Sequence, residues 1–257
     1  MEVKKRIAII TGASVGIGRE FTRLMVRENV DEIWAIARNQ TKLVALKKEL
    51  GDRVIAISKD LSDPEAVRSI ENMLIEEKPV VAYLINNAGI ARMGACSDFT
   101  IKEVEEIVSL NCTTVATLCA VCIPFMQAGS RILNISSASS FQPLPYLNLY
   151  AATKAFVRSY SRALHTELKS KKITVTAVCP GWVDTELLMK KINGKKVKFP
   201  GMVSAGKVAK KALKDAKRGK DMSVCSLYVK NEHVFTKLMP QSVSMAIWLW
   251  GIRKYKK

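Results

Sequence analysis

A glycine-rich turn near the amino terminus constrains this chain most. The residues T-G-A-S-V-G-I-G run from Thr11 to Gly18, between a short apolar run at 7–10 and a helical pattern that follows Gly18. A strand, a glycine turn and a helix in that order form a cradle for phosphate, because glycines let the backbone approach a pyrophosphate and the helix amino terminus attracts its charge. A mere tight turn is the alternative interpretation. The flanking strand and helix favour the cradle.

The rest of the sequence repeats this alternation of strands and helices. Apolar runs typical of strands begin at residues 32, 54, 80, 131 and 173, and we place the last strand at 223–229. Helical patterns cover residues 41–50, 65–77, 101–126, 149–171 and 204–218. Such alternation predicts an α/β fold with a parallel sheet. The 257 residues, 48% of them hydrophobic, are enough for one such domain, and no linker or repeat divides residues 1–257.

The stretch from Ser137 to Lys154 carries a hydroxyl, a phenol and an ammonium group at fixed offsets. Ser137 follows a predicted strand, and Tyr150 and Lys154 share one face of a predicted helix because residues four apart are neighbours. An ammonium group beside a phenol should lower the phenol pKa from about 10 toward working pH, where the phenol can exchange a proton. A serine hydroxyl can hydrogen-bond a substrate oxygen. The Tyr–Lys pair alone is more often a solvated helix face, so its meaning depends on the other motifs.

Arg38 closes the second predicted strand, where a dinucleotide fold selects the ribose. Arginine suits a 2′-phosphate through its charge and fork geometry, whereas an acidic residue would bond the 2′-hydroxyl of NAD. This position therefore favours NADP, with an ordinary surface arginine as the alternative. Asn111 lies within an apolar helical run, and a buried amide costs stability unless it is hydrogen-bonded. It is either a satisfied core asparagine or a functional residue.

The net charge of +18 is unevenly distributed. Lysines crowd residues 169–172, 190–198 and 207–220 and the tail from Arg253. This field could attract nucleic acid, an anionic membrane surface or an acidic substrate, although a solvated face is the simpler interpretation. The carboxyl-terminal stretch is amphipathic and aromatic and too short to span a bilayer. It could pack on a partner subunit, cap the substrate pocket or lie in a membrane interface, so peripheral membrane contact stays possible.

The six cysteines are scattered through a chain too large to need disulfide bonds, and we expect them to be reduced. Cys119 and Cys122 form a C-x-x-C within an apolar helical run, where small buried thiols are ordinary. No second ligand pair accompanies them, so no metal site is expected. The amino terminus passes from charged residues directly into a strand without a secretory signal, and the expected location is cytoplasmic.

Taken together, the turn from Thr11 to Gly18, the N-N-A-G that begins at Asn86, Asn111, Ser137 and the Tyr150-x-x-x-Lys154 pair resemble the classical short-chain dehydrogenase/reductases over roughly residues 6–230. The resemblance implies a single-domain, Rossmann-like, doubly wound fold with a seven-stranded parallel sheet. It also implies roles. Tyr150 is similar to the family's catalytic acid/base, Lys154 to the residue that lowers its pKa and binds the nicotinamide ribose, Ser137 to the carbonyl-orienting serine, and Asn111 to the asparagine that holds a proton-relay water.

The same resemblance implies a cofactor, NADP with NAD possible. The positions that match the family's cofactor contacts are Gly12, Ser14, Val15, Ile17, Gly18, Arg38, Asp60, Leu61, Asn87, Ala88, Gly89, Asn111, Tyr150, Lys154, Pro180, Gly181, Val183 and Thr185. Two features depart from the family pattern. Val15 stands where NADP-preferring members often carry a basic residue, so Arg38 would hold the 2′-phosphate largely alone. The aromatic, basic extension at 231–257 is not specified by the family.

The sequence therefore predicts an NADP(H)-dependent oxidoreductase that interconverts a ketone and a secondary alcohol. A predicted lid at 186–203 mixes apolar residues with lysines, which suggests a small lipophilic substrate with an anionic end, such as a hydroxysteroid or bile acid; a 3-oxoacyl thioester is the alternative. A non-catalytic dinucleotide-binding interaction protein would be expected to lack part of the Ser–Tyr–Lys trio. A nucleic-acid partner is not expected, because no recognition helix or aromatic platform is present. Family analogy predicts a homodimer or homotetramer.

Overall fold

A sheet of seven parallel strands runs through the centre of the molecule, within residues 4–186, 188, 191–192, 195–197 and 199–253 that the computed structural model describes. Their apolar runs are buried on both faces, as expected for parallel strands covered by helices. The strands are β1 Arg6–Thr11, β2 Glu32–Ala37, β3 Val54–Ser58, β4 Val80–Asn86, β5 Arg131–Ile135, β6 Thr174–Val178 and β7 Met222–Ser223.

The strands lie in the order β7-β6-β5-β4-β1-β2-β3. The chain moves outward in one direction from β1 to β3 and in the other from β4 to β7, so the order reverses between β1 and β4. In open α/β sheets, ligands bind at the carboxyl ends of the strands at such a reversal. Thr11 ends β1, Asn86 ends β4, and Ser137 follows the neighbouring β5 by two residues. This topology confirms the predicted Rossmann-like fold.

Helices cover both faces of the sheet. They are α1 Gly16–Met25, α2 Gln40–Leu50, α3 Pro64–Glu77, α4 Ile101–Val108, α5 Thr114–Cys122, α6 Asn148–Glu167, α7 Ala205–Lys217, α8 Leu227–Leu238 and α9 Gln241–Ile252. Several begin at side-chain caps that satisfy first-turn N–H groups. Asp63 accepts a hydrogen bond from the Glu65 N–H at the start of α3, and Ser204 accepts one from the Lys207 N–H at the start of α7.

The strand side chains divide the core into two halves. Ala8 and Ile10 of β1 belong to a cluster that includes Phe21 of α1 and Val208 of α7. Ile7 and Ile9 belong to a second cluster that includes Leu74 of α3, Leu118 of α5 and Leu164 of α6. The sheet thus buries alternate residues on opposite sides, and its carboxyl edge is held rigidly between two packed layers.

The predicted helix at 101–126 is one continuous helical stretch, but it is not regular. Residues Ser109–Thr113 form a π turn between α4 and α5, and a 3-10 turn at Ile123–Phe125 closes the stretch. By length and apolar composition, Ile101–Phe125 is the one helical stretch among the described residues that could cross a membrane. It packs against α3, β4 and α6, which identifies it as a core helix of this domain.

The predicted strand at 223–229 is wrong. The strand β7 ends at Ser223 after pairing two residues with β6, and Leu227 already begins α8. The apolar residues of this segment are satisfied in another way: Val224 and Val229 reach one cluster with Phe141 and Cys179 from a turn and a helix. Tertiary packing therefore overrides the strand propensity of the segment.

Candidate active site

Ser137, Tyr150 and Lys154 meet at the carboxyl end of β5. Ser137 caps a short 3-10 turn, Ala138–Phe141, and its Oγ accepts a hydrogen bond from the Ser139 N–H at 3.2 Å. The Ser137 hydroxyl lies near enough to the Tyr150 phenol to lower the pKa of Tyr150. Ser136 donates a hydrogen bond of 2.7 Å to the Lys154 carbonyl, which fixes α6 against the strand end. The structure thus brings the predicted trio together.

The phenol of Tyr150 is not tuned as the sequence predicted. Burial raises the pKa of Tyr150 above its usual value, and the Ser137 hydroxyl opposes this only in part. The Lys154 Nζ lies 5.6 Å from the centroid of the Tyr150 ring and donates a hydrogen bond of 2.9 Å to the Ile135 carbonyl instead. Desolvation of the phenolate therefore sets the direction of the Tyr150 pKa shift. At neutral pH the phenol keeps its proton, which it can donate to a substrate oxygen.

The ammonium group of Lys154 is unusually deep for a lysine. The residue is only 4% exposed, and burial lowers the pKa of Lys154 from its ordinary value to about 8. A Cβ placed on Gly89 would lie 3.2 Å from the Lys154 Nζ and 3.0 Å from the Asn111 Oδ1. The missing side chain at Gly89 leaves room in front of both polar groups, which a ligand with hydroxyl groups would use.

Asn111 braces the site from within the π turn. Its Oδ1 accepts a hydrogen bond from the Ile90 N–H at 3.0 Å, and its Nδ2 donates to the Ile90 carbonyl at 2.9 Å and to the Thr153 Oγ1 at 3.1 Å. Asn111 is fully buried, so these bonds are needed. They join the loop after β4 to α6, a structural role that accounts for the residue. One lone pair of Oδ1 remains for another donor, and the predicted relay role stays a prediction.

The turn before α1 has the features of an anion cradle. Gly12 has φ +62° and Gly16 has φ +54°, a left-handed conformation that residues with side chains rarely adopt. The helix α1 begins after Val15 without a side-chain cap and with no acidic residue in its first turn. Its amino-terminal N–H groups and the positive end of the helix dipole therefore suit a phosphate group.

Hydrogen bonds between β1 and β4 hold this turn in place. The Asn87 Nδ2 donates to the Thr11 carbonyl at 3.0 Å and to the Gly12 carbonyl at 3.2 Å. The Thr11 Oγ1 accepts the N–H groups of Asn87 and Ala88 at 2.9 Å each. A Cβ on Gly18 would lie 2.1 Å from the Gly12 carbonyl oxygen, so α1 and the turn are in direct backbone contact. Sequence reasoning missed Thr11, although it begins the motif.

Arg38 is exposed at the end of β2 with two carboxylates nearby. Its Nη1 lies 3.9 Å from Asp60 and 3.8 Å from Glu106, both loose ion pairs. Glu106, on α4, was not predicted to lie here. Burial raises the pKa of Asp60, but the hydrogen bonds from the N–H and hydroxyl of Ser62 together lower it by more than burial raises it. The net shift is downward. The exposed guanidinium is accessible to a phosphate, but the two acidic residues would oppose that phosphate.

Leu61 can contribute to the site through its backbone alone. Its side chain lies in the core, and its carbonyl accepts a hydrogen bond of 2.6 Å from the Thr114 Oγ1. Ser14 lies on the turn before Val15, and Ile17 is the second residue of α1. Of the two, Ile17 also packs against the core.

The segment after β6 closes the other side of the crevice. The Pro180 carbonyl accepts the Ala138 N–H at 2.7 Å, and a Cβ on Gly181 would lie 2.5 Å from the Val229 side chain of α8. The Thr185 Cγ2 would lie 3.1 Å from a Cβ on Gly16, which places Thr185 beside the phosphate turn. Gly16 was not among the predicted site residues.

The described residues include part of the predicted lid at 186–203. Val203 pairs with Val183 in a short parallel ladder, and the Phe199 ring packs 5.0 Å from the Trp182 ring, centroid to centroid. Met189 and Gly194 of this segment lie outside the described residues.

The buried thiols of Cys119 and Cys179 are structural. Burial raises the pKa of Cys119 to about 12 and of Cys179 to about 11, so neither is a reactive thiolate at neutral pH. Asn86 and Asn134 surround the Cys119 sulfur with polar contacts at 3.5 Å or more. Across the described part of the chain, no group of three or more His, Cys, Asp or Glu side chains could hold a metal ion.

The geometry fits a dinucleotide along the carboxyl edge of the sheet. One end of this edge offers the glycine cradle between Gly12 and Gly18. A side chain at either glycine would collide with neighbouring atoms. The other end offers Tyr150 and Lys154 behind Gly89. Apart from the lid, the predicted site residues lie along this edge or directly beneath it.

Comparison with known proteins agrees with this geometry. A model of the short chain dehydrogenase family matches residues 6–196. A very-long-chain 3-oxoacyl-CoA reductase from Danio rerio is 33% identical over 190 residues, covering 70% of this chain and 59% of that relative's length. A 3-oxoacyl-(acyl-carrier-protein) reductase from Chlamydia trachomatis is 30% identical over 187 residues, 71% of this chain and 75% of the relative. The structure of a short-chain dehydrogenase from Sphingobium yanoikuyae in complex with NADPH has a TM-score of 0.77 and 28% identity, and the match covers 98% of this chain and 96% of that one.

Proposed function

This chain belongs to the short-chain dehydrogenase family, and from that premise we propose that it is an NADP(H)-dependent oxidoreductase that interconverts a ketone and a secondary alcohol on a lipophilic substrate. One observation carries the proposal: Ser137, Tyr150 and the buried ammonium of Lys154 come together at the carboxyl edge of the sheet, with the Lys154 Nζ 5.6 Å from the centroid of the Tyr150 ring. A non-catalytic relative would have no need to maintain a buried lysine at this position, since burying it costs stability.

Each residue has a distinct task in this proposal. Ser137 hydrogen-bonds the substrate oxygen and keeps the carbonyl close to the phenol of Tyr150. Tyr150 donates the proton to that oxygen during reduction and takes it back during oxidation. Lys154 holds hydroxyl groups of the nicotinamide ribose, and its charge favours the phenolate that proton donation leaves behind. The bound nicotinamide supplies or accepts the hydride at the carbonyl carbon.

The coenzyme preference rests mainly on Arg38. Its exposed guanidinium lies where a 2′-phosphate would be placed, and the Sphingobium yanoikuyae relative was solved with NADPH. Asp60 and Glu106 lie within 4 Å of Arg38 and oppose an added phosphate, so we expect NADPH to be preferred and NADH to be usable.

The relatives support one substrate class more than the other. The Danio rerio and Chlamydia trachomatis reductases are both named for 3-oxoacyl substrates, which supports a 3-oxoacyl thioester. The hydroxysteroid or bile acid predicted from the apolar and basic lid has no support from these relatives and stays a prediction. Homodimer or homotetramer formation and a cytoplasmic location also remain predictions, to be tested by sedimentation and by cell fractionation.

The proposal is tested by following NADPH and NADH absorbance separately with 3-oxoacyl thioesters, steroids and bile acids. We expect Tyr150→Phe to lower kcat about a hundredfold or more for whichever ketone is reduced, because general acid catalysis contributes about that much. NADPH affinity, measured by fluorescence titration, should change little.

Tyr160→Phe is the matched control. Tyr160 lies on the same helix, where its ring stacks on Phe156 away from the trio, and its replacement should leave the rate unchanged. A Tyr150→Phe variant that keeps most of its ketone reduction, or a wild-type chain that does not bind either coenzyme, contradicts the proposal.

A further inference from the structure

The last fifth of the chain combines strong positive charge with exposed apolar side chains. From residue 205 to the end, the sequence has thirteen lysines and arginines and three carboxylates, so this stretch carries +10 of the net +18. Within it, α8 and α9 follow each other with only Met239 and Pro240 between them. The proposed reaction does not account for this combination.

The outward face of α8 is apolar. Leu227, Val234 and Leu238 are 75%, 56% and 76% exposed, and their spacing of seven and four residues places them on one helical face. The opposite face carries Val229, which is buried against Gly181. An amphipathic helix of a globular protein normally exposes polar residues, whereas α8 exposes these three large apolar side chains among Lys230, Asn231 and Lys237.

The helix α9 repeats this arrangement. Val243, Ile247 and Trp250 are 40%, 53% and 79% exposed at a spacing of four and three residues. Its inner face is fixed by the Trp248 Nε1, which donates a hydrogen bond of 2.8 Å to the Pro145 carbonyl. Exposed apolar stripes of this kind mark interaction sites. We call the six exposed residues of the two helices the carboxyl-terminal apolar surface.

Lysines border this surface. Lys230 and Lys237 are exposed on α8, and a cleft beside α7 is lined by Lys207, Lys210, Lys211, Lys214 and Cys225. Burial raises the pKa of Cys225, and the charges of Lys207, Lys211 and Lys230 oppose that rise. Cys225, which lines this cleft, lies two residues before Leu227 begins α8, so the lysines of the cleft adjoin the start of the carboxyl-terminal apolar surface.

Apolar side chains bordered by lysines match the surface of an anionic bilayer, where the apolar groups enter the headgroup region and the lysines meet lipid phosphates. A second copy of the chain would instead bring two regions of +10 together. We propose that the carboxyl-terminal apolar surface docks this protein peripherally on a membrane that contains anionic lipids.

The same helices lie over the candidate active site. The His233 ring of α8 packs 4.1 Å from Phe141, centroid to centroid, and Trp248 of α9 binds Pro145, so both helices contact the segment between Ser137 and Tyr150. If the proposed function holds, docking places the substrate side of the site next to the bilayer, where a lipophilic ketone would be dissolved. Docking itself does not depend on the reaction.

Cosedimentation of the full chain with phosphatidylcholine vesicles, with and without phosphatidylglycerol, tests the proposal. We expect binding to the anionic vesicles, weakened by high salt. The double variant Leu238→Ser/Trp250→Ser should bind at least tenfold more weakly, because each buried apolar side chain contributes more than about 1.4 kcal/mol, the equivalent of tenfold. Lys210→Glu/Lys214→Glu should also weaken binding about tenfold or more.

Ile75→Ser is the matched control, since Ile75 is a 54% exposed apolar residue on α3, and it should bind like the wild type. Far-ultraviolet circular dichroism verifies that each variant is folded. The proposal is overturned if the wild type does not bind anionic vesicles or if Leu238→Ser/Trp250→Ser binds them as tightly as the wild type. It is also overturned if Trp250→Ser converts a dimer to a monomer while vesicle binding is absent, since a second copy then covers this surface. Activity is not used as a readout, so loss of the proposed reaction leaves this result independent.

Discussion

At the scale of single residues, Lys154 shows how the candidate site opposes stability. At pH 7 a buried ammonium whose pKa falls to about 8 stays mostly protonated, and burying its charge costs about 1.4 kcal/mol per unit by which the pKa falls. The hydrogen bond to the Ile135 carbonyl recovers part of this cost. The residue that the proposed reaction needs most is therefore one that the fold would be more stable without.

We expect Lys154→Met to raise the free energy of unfolding at pH 7 by about 1 to 2 kcal/mol while abolishing ketone reduction. The folded-state pKa lies below the unfolded value of about 10.4, so the penalty is present below about pH 8 and disappears as pH rises toward 10. Urea unfolding at neutral and alkaline pH measures this, and the advantage of the variant should shrink at the higher pH. Lys48→Met, on the exposed side of α2, should change little. A variant less stable than the wild type at both pH values would contradict this account.

The chemistry of the trio was only partly predictable from the sequence. Spacing was enough to place Tyr150 and Lys154 on one helix face, because a four-residue offset fixes that geometry. The direction of the Tyr150 pKa shift could not be predicted, because it depends on how much solvent the folded chain removes from the phenol. The bonds of Asn111 to Ile90 were likewise invisible, since they join segments that only the fold brings together.

At the scale of elements, the contact between the glycine turn and α1 allows no added atom. A Cβ on Gly18 would meet the Gly12 carbonyl oxygen at 2.1 Å and the Asn87 Nδ2 at 2.6 Å, and the nearest of these atoms is backbone that cannot turn aside. The helix would have to move away from the turn that the Asn87 and Thr11 hydrogen bonds hold against β4.

We therefore expect Gly18→Ala to lower the free energy of unfolding by about 3 kcal/mol, the upper range for overpacking, and to weaken NADPH binding at least tenfold. Urea denaturation and NADPH fluorescence titration measure the two effects separately. Gly251→Ala is the control: Gly251 lies within α9 and a Cβ there meets nothing within 4 Å, so alanine should stabilise by up to about 1 kcal/mol. Equal behaviour of the two variants would refute the close contact.

The elements themselves were predictable where a pattern is local. The helical pattern at 65–77 predicted α3, which the structure confirms as Pro64–Glu77. The failure at 223–229 arose because Val224 and Val229 suit a strand by propensity but find their apolar partners around Phe141 through a turn and a helix. Long-range packing of that kind leaves no periodic signal in the sequence.

At the scale of the whole molecule, the net charge of +18 favours the ionised form of a buried carboxylate. Asp215, on α7, is 2% exposed and is paired with Lys211, with Lys220 at 3.3 Å and with the Ser223 hydroxyl at 2.7 Å. Burial raises the pKa of Asp215, but the hydrogen bonds from Lys211 and Ser223 together lower it by more than burial raises it. The net shift is downward. This cluster joins α7 to the edge strand β7.

We expect Asp215→Asn to lower the free energy of unfolding at pH 7 by about 2 kcal/mol, the contribution typical of hydrogen bonds to a charged group. Because the folded pKa lies below the unfolded one, this stabilisation is present above the unfolded pKa of about 3.9 and disappears as pH falls through the folded value. Wild type and variant should therefore converge in acid, as urea unfolding at a series of pH values would show. Asp52→Asn, at an exposed pair 4.0 Å from Lys47, should have no effect. A difference that persists unchanged in acid would exclude the ionised carboxylate as its cause.

The global architecture was the most predictable level. The alternation of apolar strands with helical patterns was sufficient for an α/β fold with a parallel sheet, and the resemblance to a known family supplied the seven strands and the doubly wound order. The orientation of α8 and α9 was not, because the sequence shows which residues are apolar but not which of them the fold leaves uncovered. The exposure of Trp250 is visible only once Trp248 is seen to anchor the opposite face.

The π turn at Ser109–Thr113 makes the length of this part of the chain as important as its composition. A π turn holds about one residue more than a turn of α-helix, so deleting one residue there would restore regular helical winding and leave α4 and α5 on the faces they now present. Leu118 and Cys122 of α5 would stay on the sheet, while Asn111 would lose the position from which it binds Ile90. Shortening this segment by a single codon would therefore spare the hydrophobic interior and disrupt the candidate active site.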